Sequence, residues 1–112
     1  MLTLDKLKEM GIDPTEGLAR CMNNEGFYFK MVKMGLGNEY FETLKESLAK
    51  GDLATAFEEA HALKGVAGNL ALGSIYDDIA ALTEKLRAKE AADYVALYAP
   101  IKAKRDELLA LC

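Results

Sequence analysis

Tryptophan is absent from this 112-residue chain, histidine occurs once and cysteine twice. Each scarcity excludes something. Cys21 and Cys112 lie far apart without metal-like spacing, so they read as free thiols of a reducing cytoplasm and not as a disulfide scaffold. One histidine cannot build a multi-histidine metal site. No run is rich in lysine or arginine and the formal net charge is −4, which argues against nucleic-acid binding. No apolar run reaches membrane-spanning length, and the N-terminus lacks the hydrophobic core of a signal peptide. No segment alternates with a period of two, so strands are not expected.

What remains is ordinary for one small globular domain covering residues 1–112, with 51% apolar and 29% charged residues. Helix punctuation is dense. Thr3 can cap a short helix ending near Met10, with Gly11 as its stop. Asp13-Pro14-Thr15-Glu16 combines an N-cap acid, a proline at the first position and a glutamate at the third. Asn23 and Asn24 end that segment and open the next, which carries Phe27, Met31 and Met34 and closes at Gly35-Leu36-Gly37.

Four longer helices follow. The first spans about Asn38 to Lys50, with Tyr40, Phe41, Leu44 and Leu48 on one stripe, and Gly51 ends it. Asp52 caps the second, whose Leu53, Ala56, Ala60, Leu63, Ala67 and Leu70 recur at spacings of three and four. Gly73-Ser74 marks the next boundary, with Asp77 completing a capping-box-like pattern, and Ile75, Ile79, Leu82 and Leu86 line the third helix. The fourth carries Tyr94, Leu97, Ile101, Leu108 and Leu111, and Pro100 predicts a kink or break within it. Short connections favour antiparallel neighbours. The expected fold is therefore all-α: an up-down antiparallel four-helix bundle with short additional N-terminal helices.

Function concentrates on the second long helix. In Ala60-His61-Ala62-Leu63-Lys64-Gly65, His61 is offset from the apolar seam by about 100°, which puts it at the edge of the core and partly in solvent. Lys64, Gly65 and Gly68 share its face. Imidazole is largely neutral near physiological pH and is a competent nucleophile. A phosphoryl group on its ring would carry negative charge that Lys64 can offset. A glycine inside a helix costs about 1 kcal/mol relative to alanine, and two here bare the backbone to a large approaching partner. The plainer alternative is a surface histidine beside glycines that serve close helix packing.

Competing constellations are weaker. Glu58-Glu59-Ala60-His61 contains the Glu-x-x-His piece of a di-iron bundle site, but no second histidine exists to complete it, so no metal is assigned. No Ser-His-Asp arrangement and no Walker-type loop is present, so the chain has no ATP site and is not a kinase by itself. Glu58 reads as a solvated residue one turn before His61. Phe57 reads as a boundary core residue or, with part of its ring exposed, as an anchor for a partner. Phe27, Met31 and Met34 pose the same choice, and a methionine stripe is more often core than interface.

His61-Ala62-Leu63-Lys64-Gly65 in a helical bundle resembles the histidine-containing phosphotransfer (HPt) domain family, whose pattern is histidine, two residues, lysine and glycine. Ala60, Leu63, Lys64, Gly65, Ala67 and Leu70 fit that pattern. The resemblance also takes in Gly11-Ile12-Asp13, the Phe27-to-Met34 helix and Leu82-Thr83-Glu84. It implies a phosphorelay intermediate of two-component signalling. His61 accepts a phosphoryl group from a receiver-domain phospho-aspartate and passes it to another receiver. Lys64 stabilises charge, while Gly65, Gly68, Phe57 and Glu58 meet the partner. It also implies a cytoplasmic monomer without a cofactor, with receiver domains and a sensor histidine kinase as partners, the receiver bringing its own magnesium.

Two positions depart from the family. Members commonly carry glycine where this chain has Ala71, for which Gly73 is expected to substitute at the turn. Members often carry a glutamine near the phosphohistidine where this chain has Thr83, which leaves a shorter hydroxyl as the second contact. The alternative function is a helical adaptor whose histidine is never phosphorylated. A fragment of a larger hybrid kinase would show the same features.

Overall fold

The computed structural model describes all residues, Met1–Cys112. It is all-α, with seven helices: α1 (Leu4–Glu9), α2 (Thr15–Arg20), α3 (Glu25–Leu36), α4 (Tyr40–Ala49), α5 (Leu53–Asn69), α6 (Gly73–Arg87) and α7 (Tyr94–Leu111). Thr3, Asn24 and Asp52 cap helices as the sequence expects, and Asp93 does so as well, whereas at α2 the cap position is Pro14 and not Asp13. Side-chain oxygens of Thr3, Asn24, Asp52 and Asp93 accept the amides of Lys6, Phe27, Thr55 and Ala96, satisfying donors that a helix leaves unpaired. Asp13 accepts both the amide and the hydroxyl of Thr15 at the start of α2.

Helices α4 to α7 form a closed ring of neighbours. Thr43 and Ser47 on α4 both donate to Glu59 on α5. Gly68 lies against Tyr76 near the α5–α6 turn, and Phe57 lies against Arg87 at the other end of that pair, so α5 and α6 run antiparallel. Asp78 pairs with Lys104, and Tyr94 reaches the Lys85 carbonyl, which sets α7 antiparallel to α6. Tyr98 donates to the Phe41 carbonyl and Arg105 to that of Leu36, closing α7 onto α4. One apolar cluster runs from Leu2 and Leu7 through Tyr28, Val32 and Leu36 to Leu63, Ile79 and Leu108, so α1 to α3 share the core of the four longer helices.

Three local expectations are corrected. Ser74 does not cap α6; its hydroxyl donates to the Met10 carbonyl at 2.8 Å and ties α6 to the end of α1. Gly73 does not replace the missing turn glycine: Ala71 itself adopts the left-handed conformation (φ 54°). Gly73 is small for another reason, since a Cβ there would fall 2.9 Å from the Gly11 carbonyl oxygen. Pro100 breaks nothing, because α7 is continuous across it. Proline removes one hydrogen bond, to the Ala96 carbonyl, and both residues are exposed, where water can take that carbonyl.

The buried stripe of α7 also differs from the expected one. Tyr98 and Arg105 occupy it, and Leu97 is 40% exposed. Both polar groups find interior partners. The Tyr98 hydroxyl meets the Phe41 carbonyl at 2.7 Å. Arg105 Nε meets the Leu36 carbonyl at 2.7 Å, Nη1 meets Glu42 at 3.0 Å and Asp106 at 2.8 Å, and the guanidinium lies 5.0 Å from the Phe41 ring centre. Arg105 thereby fastens α7 to the junction of α3 and α4.

Two predictions follow from these contacts. Arg105→Met should lower unfolding free energy in urea by about 1–3 kcal/mol, the cost of stranding a buried acceptor. It should also flatten the acid limb of stability. The hydrogen bond from Lys102 holds Glu42 below the usual carboxylate range, against desolvation, and Arg105 adds to it. Burial would raise Asp106, but hydrogen bonds from Lys102 and Arg105 hold it low. Depressed folded values make this stability present above the unfolded carboxylate value of about 4 and lost as pH falls through the folded values. An unchanged acid limb in the variant would refute the link. Separately, Ala71→Gly should raise stability by about 0.5–1 kcal/mol by relieving the left-handed alanine.

Candidate functional site

The buried seam of α5 consists of Ala56, Ala60, Leu63 and Ala67, with Leu53 and Leu70 partly covered at its ends. Three alanines in this seam bring the α5 backbone close to its neighbours. The helix period then decides which side chains remain outside. His61 is exposed, Lys64 and Gly68 are half-buried, and Gly65 is exposed. These four line one shallow depression together with Asn69 and Tyr76. The expected face is therefore assembled, and α6 supplies its far wall.

The two glycines differ. A Cβ on Gly65 would meet nothing within 4 Å. A Cβ on Gly68 would come within 3.2 Å of the Tyr76 ring. Gly68 thus has a packing role in the α5–α6 contact, while nothing inside the fold calls for glycine at 65. Close internal approach is also served by Gly35, which lies against Val66 and Leu70.

Phe57 is half-buried against the core, and its ring stacks on the His61 imidazole, with centroids 5.9 Å apart and planes at 24°. Arg87 of α6 lies over the same ring, its guanidinium carbon 5.1 Å from the centroid. The Phe57 ring thus meets both the guanidinium and the imidazole, and imidazole rotation away from the ring would cost that contact. Lys64 engages no carboxylate in any ion pair of the molecule, which leaves its ammonium available to an incoming anion. Glu58 is exposed.

Thr83 is corrected out of the site. It is fully buried and its hydroxyl donates to the Ile79 carbonyl at 2.7 Å, so its single proton is spent within its own helix. Tyr76, Asn69 and Arg87 were not anticipated. Pairing α5 with α6 about the turn at residues 70–72 would have brought Tyr76 opposite Gly68. The same pairing would have brought Arg87 opposite Phe57, whereas Arg20 had no sequence signal. Arg20 of α2 donates to the carbonyls of Gly68 at 2.7 Å and Asn69 at 2.8 Å, and to Glu16, closing the C-terminal end of the helix that carries His61.

Chemically, the site offers one solvent-facing nucleophile, one unpaired ammonium, and a bare stretch of helix between them and the C-terminus of α5. The model of the Hpt domain family matches residues 36–111, and the chain belongs to that family. Such domains serve histidine phosphotransfer in phosphorelay signalling, where they meet receiver domains and kinases. The match begins at Leu36, so it does not take in Gly11-Ile12-Asp13 or the Phe27-to-Met34 helix. No curated protein and no solved structure matches the chain. No helix is long and apolar enough to cross a membrane.

If position 65 is free of internal constraint, Gly65→Ala should raise unfolding free energy by up to about 1 kcal/mol with unchanged helix content. Denaturation of the purified variant checks this, and a destabilised Gly65→Ala would show that the fold itself needs glycine there.

Proposed function

We propose that His61 is the phosphoryl acceptor, taking the group from a phospho-aspartate of one receiver domain and giving it to another. The observation that carries this reading is the open surface at Gly65, a helix-interior glycine with empty space above it, one turn from an exposed and sole histidine. In the transfer, a lone pair on an imidazole nitrogen attacks phosphorus. The bond between phosphorus and the aspartyl oxygen breaks, and the aspartate leaves as carboxylate. The ring keeps its N–H on the other nitrogen until solvent removes it. Little covalent assistance is required, so positioning and charge dominate.

Residues of this chain divide that work. Phe57 holds the imidazole plane, and Lys64 offsets charge on the transferring oxygens. Gly65 and Gly68 keep the approach low enough for a folded partner, and exposed Glu58 borders the contact. The whole chain, residues 1–112, acts as one monomeric domain in the cytoplasm, in keeping with two free cysteines and no membrane-spanning helix. Repeated exchange calls for a modest interface with fast release.

The test is incubation with phosphorylated receiver domains from the same organism and assay for acid-labile, base-stable label. Wild type should be labelled. His61→Gln should abolish labelling while helix content and cooperative unfolding persist. Lys64→Ala should slow transfer or shorten phosphohistidine lifetime with stability unchanged to within about 0.5 kcal/mol, and Lys64→Arg should rescue only in part. Labelling of His61→Gln at the wild-type level would sink the assignment, and a wild type that no receiver labels would favour a non-phosphorylated adaptor.

A further inference from the structure

The depression around His61 does not end at Gly68 and Tyr76. Those two residues also line a wider groove whose opposite wall is α2, with Thr15, Glu16, Ala19 and Arg20. The two hollows lie side by side and share one glycine and one aromatic ring in their linings. Helix α2 lies outside the segment matched by the family model, so this wall belongs to the chain's own N-terminal part.

The wall is firmly held. Arg20 binds the last carbonyls of α5, as described above. Gly17 lies flat against the Tyr28 ring, where a Cβ would fall 2.4 Å from a ring carbon. Tyr28 is itself completely buried. The chain just before α2 passes against Gly73 and Ser74 at the start of α6. A short helix pinned on these sides presents a fixed surface, which a partner can recognise without ordering it first.

Reach and charge identify the occupant. Gly68 lies seven residues from His61, or about 10 Å along the helix. A standard protein interface covers about 800 Å² per partner, a patch on the order of 30 Å across. A folded donor centred on His61 therefore extends over Gly68 and Tyr76 into the groove. Of the two carboxylates at its edge, Glu16 is paired with Arg20, while Asp13 enters no ion pair and carries the groove's uncompensated negative charge. Hydrogen bonds from the Thr15 amide and then its hydroxyl keep Asp13 ionised by lowering its pKa. Arg20 turns its donors to Glu16 and the α5 carbonyls. Ala19 is small and exposed, leaving room above the wall.

We propose that this groove is the outer half of the partner-docking surface. A lysine- or arginine-bearing segment of the receiver domain that serves His61 occupies it, so that α2 selects which receiver is served. This rests on the phosphotransfer reading above. It assigns a specificity role to Asp13, Ala19 and Tyr76, which take no part in the chemical step.

The experiment uses the full chain and the phosphorylated receiver domain of the same organism that labels wild type fastest. Ala19→Trp fills the groove, Ala19→Lys adds bulk with the repelling sign, and Ala19→Glu adds bulk with the attracting sign. Val95→Trp, on exposed α7, controls for an added surface aromatic. Transfer to Ala19→Trp should fall at least tenfold through a higher KM for the receiver, with kcat kept. Ala19→Lys should be slowed more than Ala19→Glu, and Val95→Trp should match wild type. Phosphoramidate, a donor too small to touch the groove, should label His61 equally in all of them.

Wild-type transfer to Ala19→Trp overturns the groove proposal and leaves the phosphotransfer reading intact. So does equal slowing by Lys and Glu, because the occupant is then not basic. A parallel loss of phosphoramidate labelling also overturns it, since the substitution then acts on His61 itself. If no receiver labels wild-type His61, the phosphotransfer reading fails and the groove proposal falls with it.

Discussion

Helix α5 has to satisfy two demands that lie about 100° apart on its surface, and the rest of the site depends on how it does so. One stripe, made mostly of alanine, must be buried among α4, α6 and the N-terminal helices. On the proposed function, the neighbouring stripe must stay open enough for a folded partner to bring a phosphorylated group to His61. The alanine seam lets α5 settle close to its neighbours, and Gly65 and Gly68 keep the adjoining stripe low. Had the seam been leucine throughout, the interhelix distance would rise within the 8–10 Å range of packed helices and the depression beside Tyr76 would change shape.

Holding α5 in place is a distributed task performed by polar groups. Glu59 is 6% exposed and takes the hydroxyls of Thr43 and Ser47 from α4. Arg20 takes its last carbonyls from α2, and Phe57 meets Arg87 from α6. These contacts carry direction as well as energy, since each donor geometry is satisfied in one register only. Arg105 does the equivalent at the opposite corner of the bundle, where α3, α4 and α7 meet. A bundle of amphipathic helices could slide by a turn without losing much apolar contact, and these polar pins remove that freedom.

The position of the N-terminal helices gives them a different standing from the four longer ones. The family match covers residues 36–111, and the bundle of α4 to α7 lies within it. Helices α1 and α2 lie outside it, yet they join the same core through Leu7 and Ile12 and abut the C-terminal end of α5. On the proposed function, the reacting groups sit on α5 and the docking wall on α2, which the core holds together.

Much of this was legible in the order of residues. Caps at Thr3, Asn24 and Asp52, stops at Gly11 and Gly51, and the three-four recurrence along α5 are local signals read by the backbone within a few residues, so they specified the helices and the outward direction of His61, Lys64 and Gly65. The His-x-x-Lys-Gly spacing likewise pointed to the family before any coordinates. What only the tertiary structure decided involves groups far apart in the chain. In the buried stripe of α7, Tyr98 took the place of Leu97 and Arg105 filled the gap between Ile101 and Leu108, because distant carbonyls, of Phe41 and Leu36, waited for their donors. Ser74 left its capping role for the Met10 carbonyl, and Thr83 turned inward to Ile79. The difference between Gly65 and Gly68 came from Tyr76, eight residues beyond Gly68 and across a turn. Helix periodicity fixes direction about one axis; which neighbour stands in that direction depends on packing among all seven helices, and that is settled only when the chain is folded.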